Sequence, residues 1–91
     1  MTLPTFAEFE ATQRARGCDE VIVREWQAGA VVPEHTHPFD ANAIVVAGTM
    51  WLTADALTRQ LHSGDGFQLA RGTPHSERYG PGGCTYWVGR R

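Results

Sequence analysis

The sequence predicts an all-β protein, an antiparallel jelly-roll barrel with a short helix at its N-terminus. Beyond Gly17, short runs rich in β-branched and aromatic residues alternate with Gly, Pro and Asp at intervals of about 8–12 residues, which is typical of an antiparallel sandwich or barrel. No helical pattern separates these runs, which argues against a parallel βαβ arrangement. The 91 residues suffice for one domain. We expect a helical arm over residues 1–17 and a barrel over residues 18–91.

The N-terminal helix is indicated by its capping residues. Thr5 followed by Glu8 matches a capping box, in which each side chain accepts a hydrogen bond from a free backbone N–H group. Two phenylalanines share one face of the helix, and Gly17 suits the left-handed conformation that ends many helices. The sequence therefore predicts a helix from Thr5 to Arg16, packed on a rim or an outer face of the barrel.

Eight β-runs follow the helix, and glycines such as Gly48 and the segment Gly80–Gly83 separate them. The predicted strands are Val21–Trp26, Val31–His37, Ala43–Ala47, Met50–Thr53, Leu57–Leu61, Phe67–Ala70, His75–Tyr79 and Thr85–Val88. A small barrel fills its interior with large side chains. Five aromatic residues on different strands are the candidates for this role, namely Trp26, Trp51, Phe67, Tyr86 and Trp87.

Composition and charge argue against several functions. The formal net charge is -2, whereas a nucleic-acid binder normally has a basic face, and Arg90 and Arg91 form only a short basic tail. No apolar run approaches the roughly 20 residues that cross a bilayer. The start of the chain lacks the basic and then apolar pattern of a signal peptide. We therefore expect no membrane association, a cytoplasmic location, and Cys18 and Cys84 as reduced thiols.

The sharpest local feature is the pair His35 and His37. In a strand, residues two apart point to the same side about 6.6–7 Å from each other, so two imidazoles can lean together. They can then share one metal ion at about 2.0–2.1 Å from each nitrogen. His75, which follows the turn of residues 72–74, is the candidate third ligand. An isolated His-x-His pair is often merely exposed, and His62 is interpreted as a surface turn residue.

The wider context resembles the cupin superfamily. The segment from Gly29 to Gly48, with its two histidines, has the spacing of the first cupin motif, and the segment from Gly64 to His75 resembles the second. The resemblance implies a six- to eight-stranded antiparallel barrel with a divalent transition metal, such as Fe, Zn, Ni or Mn, near its centre. It also implies a small-molecule ligand and a homodimer. The hairpin that begins at Met50 would expose one set of its alternating residues, and these would suit a dimer interface.

The chain departs from the family pattern at the metal-binding glutamate of the first motif. Ala41 occupies that position, or Asn42 if the longer spacing is counted, and neither residue is a carboxylate. An amide oxygen is a weak ligand for zinc or iron. The remaining three-histidine set resembles that of the thiol dioxygenases within the superfamily. Asp40, three residues after His37, is a candidate replacement, and a simple turn cap is the alternative.

Glu77 is the second candidate replacement. It lies two residues after His75, so in a regular strand both side chains face the same side. An inward carboxylate beside a metal ion would serve as a general base or as a fourth ligand. The alternative is an ion pair at the barrel mouth with Arg71 or Arg78. We name Glu77 as the candidate catalytic residue and keep Asp40, Asn42 and Glu77 as candidates for a fourth ligand.

Two classes of function follow from the resemblance and stay open at this point. The first is a metal-binding barrel that binds a small polar molecule and turns it over by dioxygenase, isomerase or lyase chemistry. The second is a non-catalytic module that senses a sugar or another effector. One barrel hosts all of these activities, so the fold does not choose between them. The orientation of Glu77 and Asp40 discriminates, because inward carboxylates favour catalysis.

Overall fold

The N-terminal segment forms the predicted helix, α1, over Phe6–Ala15 in a computed structural model that describes residues 2–91. The Thr5 hydroxyl accepts a hydrogen bond from the N–H of Glu8, and the Glu8 carboxylate accepts one from the N–H of Thr5. The predicted capping box is therefore confirmed. Phe9 packs against Trp87 with ring centroids 5.9 Å apart, so the helix covers one outer face of the sheet.

Six antiparallel strands follow α1. Their bounds are β1 Glu20–Trp26, β2 Val31–His35, β3 Ala41–Ala54, β4 Leu57–His62, β5 Gly66–Leu69 and β6 His75–Arg90. The long strands β3 and β6 pair with each other, and β5 and β1 flank one end of this pair. β4 and β2 flank its other end. Two long strands thus pass from one half of the fold to the other, and the predicted antiparallel jelly roll with a short N-terminal helix is confirmed.

The main difference from the prediction lies in β3 and β6, which run through glycines that were expected to end strands. Register shifts next to Val45 and Gly48 place β-bulges in β3, and a bulge inserts an extra residue. The inward positions of β3 consequently change from odd-numbered, such as Val45, to even-numbered, such as Met50. Gly48 permits the bulge because its φ is +79° and a Cβ atom there would collide with the backbone of Gly83.

The aromatic residues divide between the two sides of the sheet. Phe67 and Tyr86 are buried in the core, as expected. The expectation is wrong for Trp51, which lies on an outer face beneath the guanidinium of Arg78, 4.1 Å from its ring centroid. It is also wrong for Trp87, which packs beneath α1. The bulges determine which residues of the long strands point inward, and both tryptophans lie at outward positions.

No helix within residues 2–91 is long and apolar enough to cross a membrane. Cys18 and Cys84 are both free thiols, as expected. Burial raises the pKa of the Cys84 thiol to about 11, so this group is protonated near neutral pH.

Candidate metal centre

Three histidines converge inside one half of the jelly roll. His35 ends β2 and His75 begins β6, and the two residues lie directly opposite each other in the β2–β6 register. His37 lies beyond the end of β2, so the expectation of a strand through His37 is wrong; Pro38 follows and has no N–H group to extend the ladder. One nitrogen from each of the three rings nevertheless lies within 4.8 Å of the other two. The three histidines named from the sequence therefore come together.

Backbone carbonyls orient two of the rings. The Nδ1 atom of His35 lies 2.8 Å from the carbonyl oxygen of Pro33, and the Nδ1 atom of His75 lies 2.9 Å from that of Thr73. A carbonyl oxygen only accepts hydrogen bonds, so each Nδ1 carries a proton and Nε2 is the nitrogen left to bind a metal ion. Metal-binding histidines are commonly oriented in this way.

The spacing of the His35 and His37 nitrogens suits a shared metal ion. The Nε2 atoms of His35 and His37 are 3.1 Å apart. Two nitrogens that are each about 2.0–2.1 Å from one ion lie about 2.9 Å apart at a right angle and about 3.3 Å apart at the tetrahedral angle. Burial, followed by the charges of His35 and His75, lowers the pKa of His37 and favours the neutral ring that metal binding requires. These residues therefore fit a divalent transition metal ion.

Glu77 reaches the same place from β6, and its side chain is 6 % exposed. Its Oε2 atom lies 3.6 Å from Nε2 of His35 and 3.9 Å from Nε2 of His75. Its Oε1 atom accepts a hydrogen bond of 2.5 Å from the Tyr79 hydroxyl, and the Tyr86 hydroxyl lies 3.5 Å from the same oxygen. The carboxylate thus turns one oxygen to the tyrosines and the other to the histidines, rather than pairing with an arginine at the mouth.

The two tyrosines act as donors to this carboxylate. Burial, and then the neighbouring Tyr86, raises the pKa of Tyr79 well above its ordinary value. Burial, and then the charge of Glu77, raises the pKa of Tyr86. Both hydroxyls therefore keep their protons and can donate them in hydrogen bonds to Glu77. The position of the carboxylate is fixed by groups that do not compete for a metal ion.

The other proposed fourth ligands point away from the histidines. The Oδ1 atom of Asp40 accepts a 2.8 Å hydrogen bond from the backbone N–H of Arg71, which is the main reason that the pKa of Asp40 is lowered. The Asn42 amide donates a 2.8 Å hydrogen bond to Gln13 of α1. Ala41, at the position of the motif glutamate, is buried and lines the cavity beside the histidines. Asp40 and Asn42 are therefore not placed to complete a metal site.

A narrow cavity with both polar and apolar walls adjoins His37 and His75. It encloses about 30 Å³, room for about two water molecules. Its walls are formed by His37, Phe39, Ala41, Phe67, Leu69, His75, Glu77, Tyr86, Val88 and Arg90. Only a small chemical group can reach the histidines through this space.

Three residues of the cavity region went unrecognised in the sequence. Tyr79 was included only as the end of a predicted strand, although its position two residues after Glu77 puts both side chains on the same face. Phe39 stacks on His37 with ring centroids 4.7 Å apart. Arg90 was interpreted as part of a basic tail, but it lies opposite Ala41 in the β3–β6 register. Only the register of two distant strands reveals that contact.

Fold and site together define a small antiparallel jelly roll with a candidate three-histidine metal centre. The family model of the cupin domain matches residues 22–79, and the chain belongs to this family. No curated protein sequence matches the chain significantly.

Solved structures share the fold. KdgF from Halomonas sp. is 24% identical with a TM-score of 0.67, and the match covers 77% of this chain and 66% of that one. The DMSP lyase DddQ from Ruegeria pomeroyi is 26% identical with a TM-score of 0.73, covering 78% and 36%. The cupin domain of Cnp3 from Schizosaccharomyces pombe is 21% identical with a TM-score of 0.71, covering 77% and 50%. The matched part of this chain therefore spans about two thirds or less of each of these proteins.

Proposed function

We propose that this protein is a metal-dependent cupin that binds a small polar molecule in its barrel, with His35, His37 and His75 as the metal ligands. The orientation of two rings by backbone carbonyls carries this proposal, because it leaves their Nε2 lone pairs facing a common point. Imidazole nitrogens suit divalent transition ions, and we expect Fe, Zn, Ni or Mn. Such an ion would supply Lewis-acid or redox chemistry when bound.

Metal analysis of protein purified without an affinity tag tests the ligand set. We expect about one divalent ion per chain in the wild type and loss of that ion in His37→Ala. His62→Ala is the matched control, because His62 is an exposed histidine at the end of β4 and should not affect the metal content. Equal metal content in the wild type and in His37→Ala would remove the proposed site.

Within this function, Glu77 is the proposed catalytic residue and acts as a general base. Its Oε2 atom faces the histidines and is available to take a proton from a molecule bound there, while Tyr79 holds Oε1. A base at this place suits isomerase or lyase chemistry, which begins with removal of a proton. The similarity to a DMSP lyase is in keeping with this choice. Glu77→Gln should leave folding and metal content intact and abolish turnover of an identified substrate.

The second candidate function is a non-catalytic module that binds a sugar or another effector. The replacement of the motif glutamate by Ala41 favours it, because a binding module does not need a complete catalytic set. The two candidates differ in their response to Glu77→Gln. A sensing module would show no turnover in the wild type or in Glu77→Gln, and the variant would keep its ligand affinity. An enzyme would show turnover in the wild type and lose it in Glu77→Gln.

We further propose a homodimer formed through the outer face of the sheet, and a cytoplasmic location. Val31 is 68% exposed and lies opposite Arg78 in the β2–β6 register, next to the outward-facing Trp51. Free thiols at Cys18 and Cys84 suit a reducing compartment. Light scattering should give the mass of two chains for the wild type and of one chain for Val31→Glu. A monomeric wild type would reject the dimer.

A further inference from the structure

Arg90 lies beside the cavity of the histidine cluster. It is directly opposite Ala41 on β3, and opposed residues of neighbouring strands project their side chains on the same face of a sheet. Its guanidinium carbon lies 4.6 Å from the centroid of the Phe39 ring, which stacks in turn on His37. The Phe39 ring therefore separates Arg90 from His37, a proposed metal ligand.

Only one edge of the Arg90 guanidinium is used by the protein. Its Nη1 atom donates a 3.2 Å hydrogen bond to Glu20, whose side chain is 59% exposed. Its Nε atom is buried and has no hydrogen-bond partner within residues 2–91. A buried N–H group without an acceptor is unfavourable, so this group is expected to find an acceptor when the cavity is filled. The Nε–H and Nη2–H groups together form a planar fork that matches a carboxylate.

The barrel itself supplies no carboxylate to this fork. Glu77, the buried acid of the cavity, has one oxygen engaged by Tyr79 and the other turned to the histidines. The motif glutamate that would face Arg90 across the strand pair is Ala41, whose methyl group leaves that space open. The edge of Arg90 formed by Nε–H and Nη2–H therefore has no carboxylate partner within residues 2–91, although Nη1 is paired with Glu20.

We infer that Arg90 determines ligand specificity by binding the carboxylate of a small organic acid, whose remaining few atoms extend toward the histidines. The inference deepens the proposed function, on which it rests for the role of the histidine end of the cavity. The volume of about 30 Å³ limits the part of the ligand inside the cavity to a group of a few atoms.

Titration with propionate and with its neutral counterpart propionamide, followed by NMR, tests this inference. The readout is the Nε–H signal of Arg90, which is identified by its absence in Arg90→Lys, and titrations are run on Zn²⁺-loaded and on metal-free protein. We expect propionate to shift this signal and to bind at least tenfold more tightly than propionamide. Arg90→Met should weaken propionate binding at least tenfold. Glu20→Gln, which removes only the bond to Nη1, should leave it within twofold or strengthen it.

The results separate the specificity of Arg90 from the metal site. Equal binding of propionate and propionamide, or unchanged propionate binding in Arg90→Met, overturns the inference. If Arg90→Met does not fold, Arg90→Lys decides, because it keeps the charge and lacks the fork; wild-type affinity in that variant also overturns the inference. A wild type that retains no metal but shows the Arg90 response rejects the proposed function alone. A wild type that retains metal and does not discriminate the two probes rejects this inference alone.

Discussion

Removing the Tyr79 hydroxyl tests how Glu77 is held beside the histidines. Tyr79 is 2% exposed, and its hydroxyl donates a 2.5 Å hydrogen bond to a carboxylate that is itself 6% exposed. A hydrogen bond to a charged group contributes about 1.5–3 kcal/mol, and little water can replace this one. Tyr79→Phe keeps the ring that stacks on Trp26 at 4.9 Å. We therefore expect Tyr79→Phe to lower the free energy of unfolding by about 2 kcal/mol.

Tyr86→Phe is the matched control for this experiment. Its hydroxyl lies 3.5 Å from the same oxygen of Glu77, at the limit of a hydrogen bond, so its loss should cost less than about 1 kcal/mol. Urea unfolding in the presence of a chelator measures both costs without a contribution from bound metal. For a domain of this size, a loss of 2 kcal/mol corresponds to a decrease in Tm of about 8–16 °C.

A double-mutant cycle with Glu77→Gln isolates the interaction between the tyrosine and the carboxylate. Tyr79→Phe should cost clearly less in the Glu77→Gln background than in the wild type, because the charged acceptor is gone. Equal costs in the two backgrounds, or equal effects of Tyr79→Phe and Tyr86→Phe in the wild type, would refute the idea that Tyr79 holds this carboxylate.

Three other predictions concern the fold. Gly48→Ala should cost more than about 3 kcal/mol or prevent folding, because a Cβ atom there meets backbone. Gly72 also has a positive φ, +78°, but has open space around it, so Gly72→Ala should cost about 1–2 kcal/mol. Similar urea midpoints for the two variants would contradict this. Thr5→Ala should lower stability by about 1 kcal/mol through loss of the capping box, and an unchanged midpoint would show that the cap contributes nothing. Cys84, with its pKa raised to about 11 by burial, should resist a thiol reagent near neutral pH until urea is added, and rapid labelling of the native thiol would contradict its burial.

Local signals in the sequence predicted the helix, and local signals together with the two cupin-like motifs predicted the histidine cluster. The capping box of Thr5 depends on residues three positions apart, and the structure contains it as predicted. His35 and His37 are close in sequence, and the turn before His75 marks the start of a strand. The inward orientation expected for Glu77 also followed from one local rule, the alternation of side chains along a strand.

Features that depend on contacts between distant strands could not be predicted from local sequence patterns. The bulges next to Val45 and Gly48 reverse the inward parity of β3, and the one at Gly48 depends on the close approach of Gly83 from β6. Trp51 was expected inside because a small barrel fills its interior with large side chains, and it lies outside. Arg90 gains its significance only from its position opposite Ala41, and no pattern within either segment specifies that register.

X-ray absorption spectroscopy of the purified protein at the edge of its bound metal tests whether the three histidines bind one ion. We expect three imidazole nitrogens at about 2.0–2.1 Å from the ion, with any remaining ligands being oxygen. The same measurement on His75→Ala should show fewer imidazole ligands or no stoichiometric metal. A wild-type spectrum with sulfur ligands, or with fewer than three imidazoles, would contradict a metal centre formed by His35, His37 and His75.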